Sequence, residues 1–376
     1  MLRGHENGNG THPRDPAPLR VAMLAPPWIE IPPAAYGGIE SVVGLLCDGL
    51  VRRGHDVTLF AAPGSASCAE VVSLLDSPHP KEMNLTLFEA DHVALAFDAI
   101  DRAAADGNPF DVIHDHCACV TLAMADRIEV PVVHTVHGPF TEETSHFYAS
   151  HGNKGTIVCL SEYQLSQAPT EFDHAYVVPN PIEVQDWPFS AEHDEYLLWI
   201  GRMHEDKGPH RAIAAAGEAG LPLVMAGPVQ PDQEAYFATD VEPHIDGRQV
   251  RYLGEVGAEE KRCLFARARA LMMPIRWPEP FGMVMVEALA CGTPVIAFPE
   301  GAAPEIVRDG QTGFLVADED EMAAAARTGE VRAEDCRRDM LERFDTMRVS
   351  ALYEGVYREA IGARATRLAA ASPFRA

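Results

Sequence analysis

The chain has 376 residues, of which 47% are apolar, and it carries 56 acidic against 30 basic side chains, for a net charge of −26. A chain of this length and composition buries the cores of two ordinary domains. Its acidic field repels polyanions, so we expect neither nucleic acid nor an anionic lipid surface as a general partner. Apolar runs stay far below the roughly 20 residues that a membrane-spanning helix needs, and we expect no membrane span.

The first residues and the cysteines indicate the compartment. Residues 1–18 are polar and rich in Gly, Asn, Pro and His, without the apolar centre of a signal peptide, and we interpret them as a disordered tail. The eight cysteines include no Cys-x-x-Cys pair, and several lie in apolar runs, which is typical of reduced core thiols. The sequence therefore predicts a cytoplasmic protein.

Apolar residues follow strand-like and helix-like spacing in turn through the first half of the chain. Strands are predicted over residues 19–25, 56–61, 111–114, 132–135, 156–159 and 175–178, and helices over residues 39–53 and 87–106. Strands that alternate with helices predict a parallel, doubly wound sheet. Residues 179–189 contain three prolines and few apolar positions and are typical of a linker, so we place a first domain at residues 19–184.

The same alternation restarts beyond the linker. Strands are predicted over residues 196–200, 221–226, 250–252, 270–273, 294–297 and 313–316, and helices over residues 209–219, 258–268 and 283–290. We place a second domain at residues 185–345 and a final helical segment at residues 346–376, and we predict helix throughout from residue 319. The predicted fold class is α/β, with two Rossmann-like, doubly wound domains facing each other across a cleft.

Residues 279–287, which read EPFGMVMVE, carry the strongest functional signal. They join a predicted strand to a predicted helix, and Gly282 permits close backbone approach to the first N–H groups of that helix. Glu279 precedes the turn and Glu287 lies within the helix. Both carboxylates are placed to accept hydrogen bonds from a polyhydroxylated ligand whose anionic part faces the helix end. The alternative is two solvated acids that flank a helix.

Gly37 and Gly38 open the first predicted helix after the first predicted strand. A helix N-terminus without side chains offers its backbone N–H groups to a phosphate. The alternative is a flexible turn that only begins the helix. The fingerprint Gly-x-Gly-x-x-Gly of dinucleotide-binding proteins does not occur here, which disfavours a dehydrogenase.

Arg202 and Lys207 follow the first strand of the second domain, in a chain with only four lysines. A diphosphate leaving group needs about two charges neutralised, and at about 4 Å each cation contributes a few kcal/mol at an effective dielectric constant near 20. Two such cations substitute for a metal ion, so we predict neither a metal nor another cofactor. The alternative is a solvated loop of mixed charge.

Histidines and acids mark three further segments. His137 ends a strand and is predicted to face the cleft, whereas His134 inside that strand is predicted to lie in the core. Residues 114–119 contain several potential metal ligands, but alternate side chains at a strand end point to opposite faces, which disfavours a single ion. Residues 318–320 read Asp-Glu-Asp before an alanine-rich helix, and helix capping explains them more economically than a metal.

These motifs resemble those of family GT4, the retaining nucleotide-sugar glycosyltransferases with the GT-B fold. The resemblance rests first on two glutamates eight positions apart around Pro-Phe-Gly. It implies that Glu279 holds the donor sugar and that Glu287 holds the nucleotide ribose. The backbone groups after Glu279 belong to the same donor site, at Phe281, Gly282 and Met283. The resemblance also implies a final helix that crosses back onto the first domain.

Further donor contacts follow from the same resemblance. Arg202 and Lys207 would bind and polarise the phosphates as the glycosidic bond breaks. Gly37 and Gly38 would face the donor diphosphate. His137 would contact the donor hexose near its 6-position.

The resemblance implies an activity as well. Gly254 and Val256 lie in a segment that cradles the nucleobase in GT4 proteins. The implied reaction moves a hexose from a nucleotide-diphosphate sugar, with UDP-glucose as the predicted donor, to a small-molecule or glycan acceptor with retention. Alternatives are a nucleotide-sugar epimerase, a phosphorylase or a non-catalytic sugar-nucleotide-binding protein. Loops 62–80 and 141–151, where we expect the acceptor, follow no pattern that identifies it.

Overall fold

A computed structural model describes residues 17–33, 37–83, 85–117 and 119–371. Residues 1–16 of the predicted tail and Tyr36 beside the glycine pair lie outside these ranges. Within them the chain forms two parallel sheets, one of seven strands and one of six, with helices between the strands. The predicted α/β fold class is confirmed. No described helix has the length and apolar character to cross a membrane.

The first sheet has the strand order β3-β2-β1-β4-β5-β6-β7. Its strands are β1 Arg20–Leu24, β2 Asp56–Phe60, β3 Glu70–Val72, β4 Val112–Asp115, β5 Val132–Thr135, β6 Thr156–Cys159 and β7 Ala175–Val177. Its helices are α1 Gly38–Arg52, α2 Thr86–Ala105, α3 Val120–Met124, α4 Glu142–His151 and α5 Glu162–Ser166. From β1 the chain adds β2 and β3 on one side and β4 to β7 on the other, so the strand order changes direction between β1 and β4. Ligands of open α/β sheets bind at such a switch point.

Helix α1 shows how apolar spacing builds this layer. Val42, Val43, Leu46 and Leu50 recur at helical spacing and are at most 2% exposed. Three of them pack in one core with Val21 of β1 and its neighbours. Helix α1 is the first helix after β1 in the chain and begins at Gly38.

The second sheet has the order β10-β9-β8-β11-β12-β13. Its strands are β8 Leu197–Ile200, β9 Leu223–Ala226, β10 Val250–Tyr252, β11 Ala270–Met273, β12 Val295–Ala297 and β13 Gly313–Leu315. Its helices are α6 Pro209–Ala219, α7 Glu234–Tyr236, α8 Ala258–Arg267, α9 Met283–Cys291, α10 Ala303–Ile306, α11 Glu319–Thr328 and α12 Ala333–Arg343. Strands β8 and β11 are neighbours and parallel, so the loops that follow them emerge at the same edge.

The last helix, α13 Thr346–Ala371, packs against the first sheet. Tyr353 and Tyr357 are at most 1% exposed and join the core of α1 and β1. Glu354, one residue further along, receives a charged hydrogen bond from Arg53 at 2.6 Å. Apolar burial and this ion pair hold the C-terminal helix on the N-terminal layer.

Three details differ from the sequence prediction. Residues 142–151, which were expected to form part of an acceptor loop, form helix α4, because Thr141 and Thr144 cap its start while its apolar residues show little helical periodicity. The region after residue 319 is not helical throughout, because α11 ends at Thr328 and α12 begins only at Ala333. Gly329 follows α11, and the Arg269 guanidinium caps its end by donating to the Ala326 carbonyl oxygen at 2.9 Å. Strand β3 was predicted as part of a loop, because three residues on a sheet edge carry too little periodicity to detect.

Candidate active site

The loop after β8 carries Lys207 and is fixed from two sides. Trp199 donates its indole N–H to the Lys207 carbonyl oxygen at 3.1 Å, and the Arg276 N–H bonds the Asp206 carbonyl oxygen at 2.9 Å. Gly208 ends the loop at a φ of +70°, and a Cβ there would overlap the carbonyl oxygen of Pro274. The loop after β8 is therefore docked on the loop after β11.

This docking brings Lys207 and Glu279 into an ion pair. The Lys207 ammonium donates to Oε2 of Glu279, and Trp277 donates its indole N–H to the same oxygen at 3.1 Å. The ammonium also lies 5.2 Å from the centroid of the Trp277 ring. The two side chains are only 18% and 15% exposed, so each neutralises a charge that water screens poorly. Two side chains with separate predicted roles therefore contact each other directly.

The backbone around Glu279 leads directly into a helix end. The Glu279 carbonyl oxygen accepts the Ala302 N–H at 3.0 Å, and a Cβ at Gly301 would overlap the Glu279 backbone. Gly282 then takes a φ of +93°, and α9 begins at Met283 without a side-chain cap. The first N–H groups of α9 therefore remain available to an anionic ligand.

Phe281 anchors that turn and Met283 borders it. Phe281 is 3% exposed, and its ring lies 5.7 Å from the ring of Phe344 in an edge-on contact. Met283 is half-buried at the first position of α9. The aromatic anchor fixes the backbone of the turn where α9 begins.

The second glutamate, Glu287, lies within α9 and has its own lysine. Glu287 is 8% exposed, and the Lys261 ammonium on α8 lies 2.8 Å from Oε1 and 2.7 Å from Oε2. The sequence prediction did not include Lys261. The rarity of lysine in this chain was the signal that could have pointed to Lys261. Two of only four lysines pair with the two glutamates of the EPFGMVMVE motif.

Arg202 and the segment after β10 border the same edge of the second sheet. Arg202 is half-buried and donates to Oε1 of Gln230 at 3.3 Å. Gly254 has a φ of +72°, and its carbonyl oxygen accepts the Gly227 N–H at 2.8 Å. Val256 is half-buried just beyond it. Among the described residues, no hydrogen bond or ion pair joins Arg202 to the pair of Lys207 and Glu279.

In the first domain, the glycine pair leaves the start of α1 open. A Cβ on Gly38 would meet no heavy atom within 4 Å, whereas a Cβ on Gly37 would lie 2.5 Å from Cβ of Pro33. Gly37 is the N-cap residue and makes no side-chain cap. The helix end is therefore accessible at Gly38 and tightly packed at Gly37.

His137 follows β5 and pairs with another histidine. Its Nε2 lies 2.8 Å from Nδ1 of His116, which follows the neighbouring strand β4. Burial lowers the pKa of His137 to about 3, and burial together with nearby imidazoles lowers the pKa of His116 well below its ordinary value. Both rings are therefore neutral near pH 7.

The predicted core histidine is confirmed. His134 is 1% exposed, with Nδ1 at 2.6 Å from Oδ2 of Asp115 and Nε2 at 2.9 Å from the Tyr148 hydroxyl. Asp115 and His134 are therefore paired with each other in the core. Within the described ranges, no group of three or more His, Cys, Asp or Glu side chains is arranged to hold a metal ion. Asp318 caps α11 by accepting the Glu321 N–H at 2.9 Å, as predicted.

Gln164 on α5 is a structural residue of the site that sequence reasoning missed. Its amide donates to the carbonyl oxygens of Val136 and Gly138 at 2.9 and 2.8 Å, on either side of His137. Its Oε1 accepts the Leu160 N–H at 2.6 Å. One buried side chain therefore holds the backbone of the His137 loop, a role that no local pattern reveals.

The comparisons with known proteins cover nearly the whole fold. The family model for glycosyl transferases group 1 matches residues 183–344, and the model for Glycosyltransferase Family 4 matches residues 36–186. The chain belongs to glycosyltransferase family GT4. It is thus a glycosyltransferase of the hexosyltransferase class that uses a nucleotide-sugar donor, and the fold is GT-B.

Three similar proteins illustrate the range of this GT4 family. A glycogen synthase of Mycobacterium tuberculosis is 28% identical over 90% of this chain and 94% of its own length. A phosphatidyl-myo-inositol mannosyltransferase of Mycolicibacterium smegmatis is 26% identical over 92% of this chain and 95% of its own. The crystal structure of Anabaena HepE in complex with UDP and glucose superposes with a TM-score of 0.69 at 19% identity, covering 91% of this chain and all of that one.

Proposed function

We propose that this GT4 protein transfers glucose from UDP-glucose to an acceptor hydroxyl, with retention and without a metal ion. The observation that carries the proposal is the pairing of Lys207 with Glu279 beside the uncapped N-terminus of α9. A cation, a helix end and a carboxylate then meet at one place. A nucleotide-diphosphate sugar presents the matching groups, namely phosphates and sugar hydroxyls.

The choice of UDP-glucose draws on the similar proteins. One of them is a glycogen synthase, and the HepE structure holds UDP and glucose. The phosphatidyl-myo-inositol mannosyltransferase makes mannose the alternative hexose, and the donor assay therefore compares glucose with mannose.

The ion pair has a defined use in the proposed reaction. When the diphosphate binds, the Lys207 ammonium turns to the phosphates, and Glu279 is freed to accept a hydrogen bond from a sugar hydroxyl. Trp277 retains its bond to Glu279 and keeps that carboxylate oriented. The charge that grows on the departing diphosphate is stabilised by Lys207, by Arg202 and by the N–H groups of α9.

The remaining roles complete the donor pocket. Glu287 holds the ribose hydroxyls, and Lys261 keeps that carboxylate oriented. His137 contacts the hexose near its 6-position. Gly38 leaves room for the diphosphate at the start of α1. Closure of the two domains excludes water and favours transfer over hydrolysis.

We also propose that the reaction takes place in the cytoplasm. All eight cysteines are free thiols, and five of them are buried. Free thiols in this number are typical of a reducing compartment.

A donor panel tests the proposal. The purified protein is incubated with UDP-, GDP- or ADP-linked glucose or mannose, in parallel with EDTA and with Mg²⁺. Each reaction is run with and without a mixture of small-molecule and glycan acceptors, and the released nucleotide is measured. The proposal predicts release of UDP from UDP-glucose that rises with acceptor. Release from a GDP-sugar alone would overturn the assignment of UDP-glucose as donor. Release that requires a metal would overturn the proposal that no metal ion takes part.

A further inference from the structure

We infer that His116 is a positioning residue that sets the tautomer of His137, so that His137 presents an N–H group to the donor hexose. The inference rests on the proposed role of His137 at the sugar. It adds the direction of the hydrogen bond and a residue that acts on the sugar only through His137.

The two histidines are held ring to ring by neighbouring strands. Their ring centroids lie 5.1 Å apart with an angle of 29° between the planes, and Nδ1 of His116 lies 2.8 Å from Nε2 of His137. Strands β4 and β5 are parallel and paired, and each histidine lies just beyond the end of its strand. The contact is therefore built into the sheet.

Only one proton can lie between the two nitrogens, because both rings are neutral. Either His116 donates from Nδ1, which leaves the His137 proton on Nδ1, or His137 donates from Nε2, which leaves the His116 proton on Nε2. The two arrangements offer the ligand opposite groups at His137, a donor in the first case and an acceptor in the second.

The surroundings of His116 decide between them. His116 is 3% exposed, and its Nε2 is buried without a hydrogen-bond partner among the described residues. A buried N–H without a partner is rarer and more costly than an acceptor with an unused lone pair. The Nε2 atom is therefore unprotonated, and His116 donates its Nδ1–H to His137.

His114 packs against the His116 ring and keeps it in place beside His137. Their ring centroids lie 4.1 Å apart. His114 is itself fixed, with Nδ1 at 2.7 Å from the Tyr357 hydroxyl and Nε2 at 2.8 Å from Oγ1 of Thr135. The charged groups nearby do not compete for His116, because Asp115 bonds His134. His114 and His116 thus form a rigid stack that contacts His137.

The tautomer has a consequence for donor choice. An N–H group at Nδ1 of His137 favours an oxygen that accepts a hydrogen bond, such as the 6-hydroxyl of a hexose. A 6-deoxy sugar would leave this N–H without a partner in the closed cleft, and a 6-ammonium sugar would place a donor against a donor. We therefore expect a donor hexose with an oxygen at position 6.

Nitrogen NMR tests the tautomer without any donor. The full chain is labelled with ¹⁵N-histidine, and the signals of His116 and His137 are assigned from His116→Asn and His137→Gln samples. The inference predicts a protonated Nδ1 and a bare Nε2 on both rings. A protonated Nε2 on His137 would overturn it.

Kinetics test the consequence with two matched variants. His116→Asn retains an N–H donor near the position of Nδ1, whereas His116→Leu removes it at similar volume. With UDP-glucose, His116→Leu should lose about tenfold in kcat/KM, the effect of one hydrogen bond, and His116→Asn should stay within a few-fold of wild type. Thermal melting establishes that both variants are folded.

The preference for UDP-glucose over its 6-deoxy analogue distinguishes the inference about His116 from the proposed function. Wild type and His116→Asn should show this preference, and His116→Leu should lose most of it. An active His116→Leu variant that keeps the full preference would overturn the inference. A wild-type protein that transfers no sugar, while the NMR result holds, would instead overturn the proposed function.

Discussion

Ser161, two residues beyond β6 in the first domain, donates its hydroxyl hydrogen to the carbonyl oxygen of Pro280 at 2.7 Å, in the loop between β11 and α9 of the second domain. The same hydroxyl accepts the Gln164 N–H at 3.1 Å, and Gln164 in turn holds the His137 loop. A continuous line of hydrogen bonds therefore runs from His137 to the residue next to Glu279. The two halves of the proposed donor site are positioned by one shared element.

We predict that Ser161→Ala weakens this junction. The substitution removes the cap of α5 and leaves the Pro280 carbonyl oxygen without its partner, which should lower the free energy of unfolding by roughly 1–2 kcal/mol and raise KM for the donor. Urea unfolding and initial rates measure both effects. Ser150→Ala, at an exposed hydroxyl that bonds its own helix, should change stability by less than about 0.5 kcal/mol. An equal effect of the two substitutions would contradict the role of Ser161.

Lys261 is predicted to act on donor binding rather than on bond cleavage. Lys261→Met leaves Glu287 as a nearly buried carboxylate without its cation, so KM for the donor should rise by about tenfold or more while kcat changes little. The free energy of unfolding should fall by roughly 1–3 kcal/mol. The double variant Lys261→Met/Glu287→Gln should recover part of that stability, because no unpaired charge remains. A fall in kcat with unchanged KM would refute the assignment.

Buried neutral histidines predict an acid-sensitive fold. Burial is the main cause that lowers the pKa of seven described histidines. The four with the largest shifts are His92, to about 4, His114, His116 and His137, to about 3. The unfolded chain binds these protons below about pH 6.5 and the folded chain does not, so stability is complete above that pH and falls as the pH decreases. Each histidine contributes a slope of up to about 1.4 kcal/mol per pH unit.

This pH dependence is measured by urea unfolding between pH 4.5 and 7.5. Removing one of the four, with His92→Leu, should lower the proton uptake on unfolding near pH 5.5 by about one proton. Ser150→Ala, which removes no titrating group, serves as the control for the effect of a substitution as such. Equal slopes for wild type and His92→Leu would contradict the account.

The sequence predicted the framework of the fold well, because strong periodicity decides long elements. The predicted bounds of β5, β6, β10, β11 and α6 coincide with those in the structure. The domain boundaries near residues 184 and 345 remain predictions, as do the roles of the proposed site residues. Weak local signals explain the misses at β3 and at the breaks around α12.

The contacts between residues of the site could not be predicted from the sequence. Lys207 and Glu279 are 72 positions apart and meet only because β8 and β11 are neighbours in the sheet. The pairing of Lys261 with Glu287 depends on how α8 packs on α9. Gln164 acts through carbonyl oxygens, which leave no mark in the sequence. The sequence therefore indicated which residues are candidates for the site, but not which side chains contact one another.

Acceptor-dependent release of UDP from UDP-glucose, compared between wild type, Lys207→Ala and Lys154→Ala, shows whether Lys207 stabilises the departing diphosphate. Lys154 is a partly exposed lysine that bonds a backbone carbonyl oxygen in the first domain and serves as the matched control. The account predicts release in EDTA that rises with acceptor, a loss of roughly 100-fold or more in Lys207→Ala, and near wild-type release in Lys154→Ala. Full activity of a folded Lys207→Ala variant, or donor binding without any release by wild type, would contradict it.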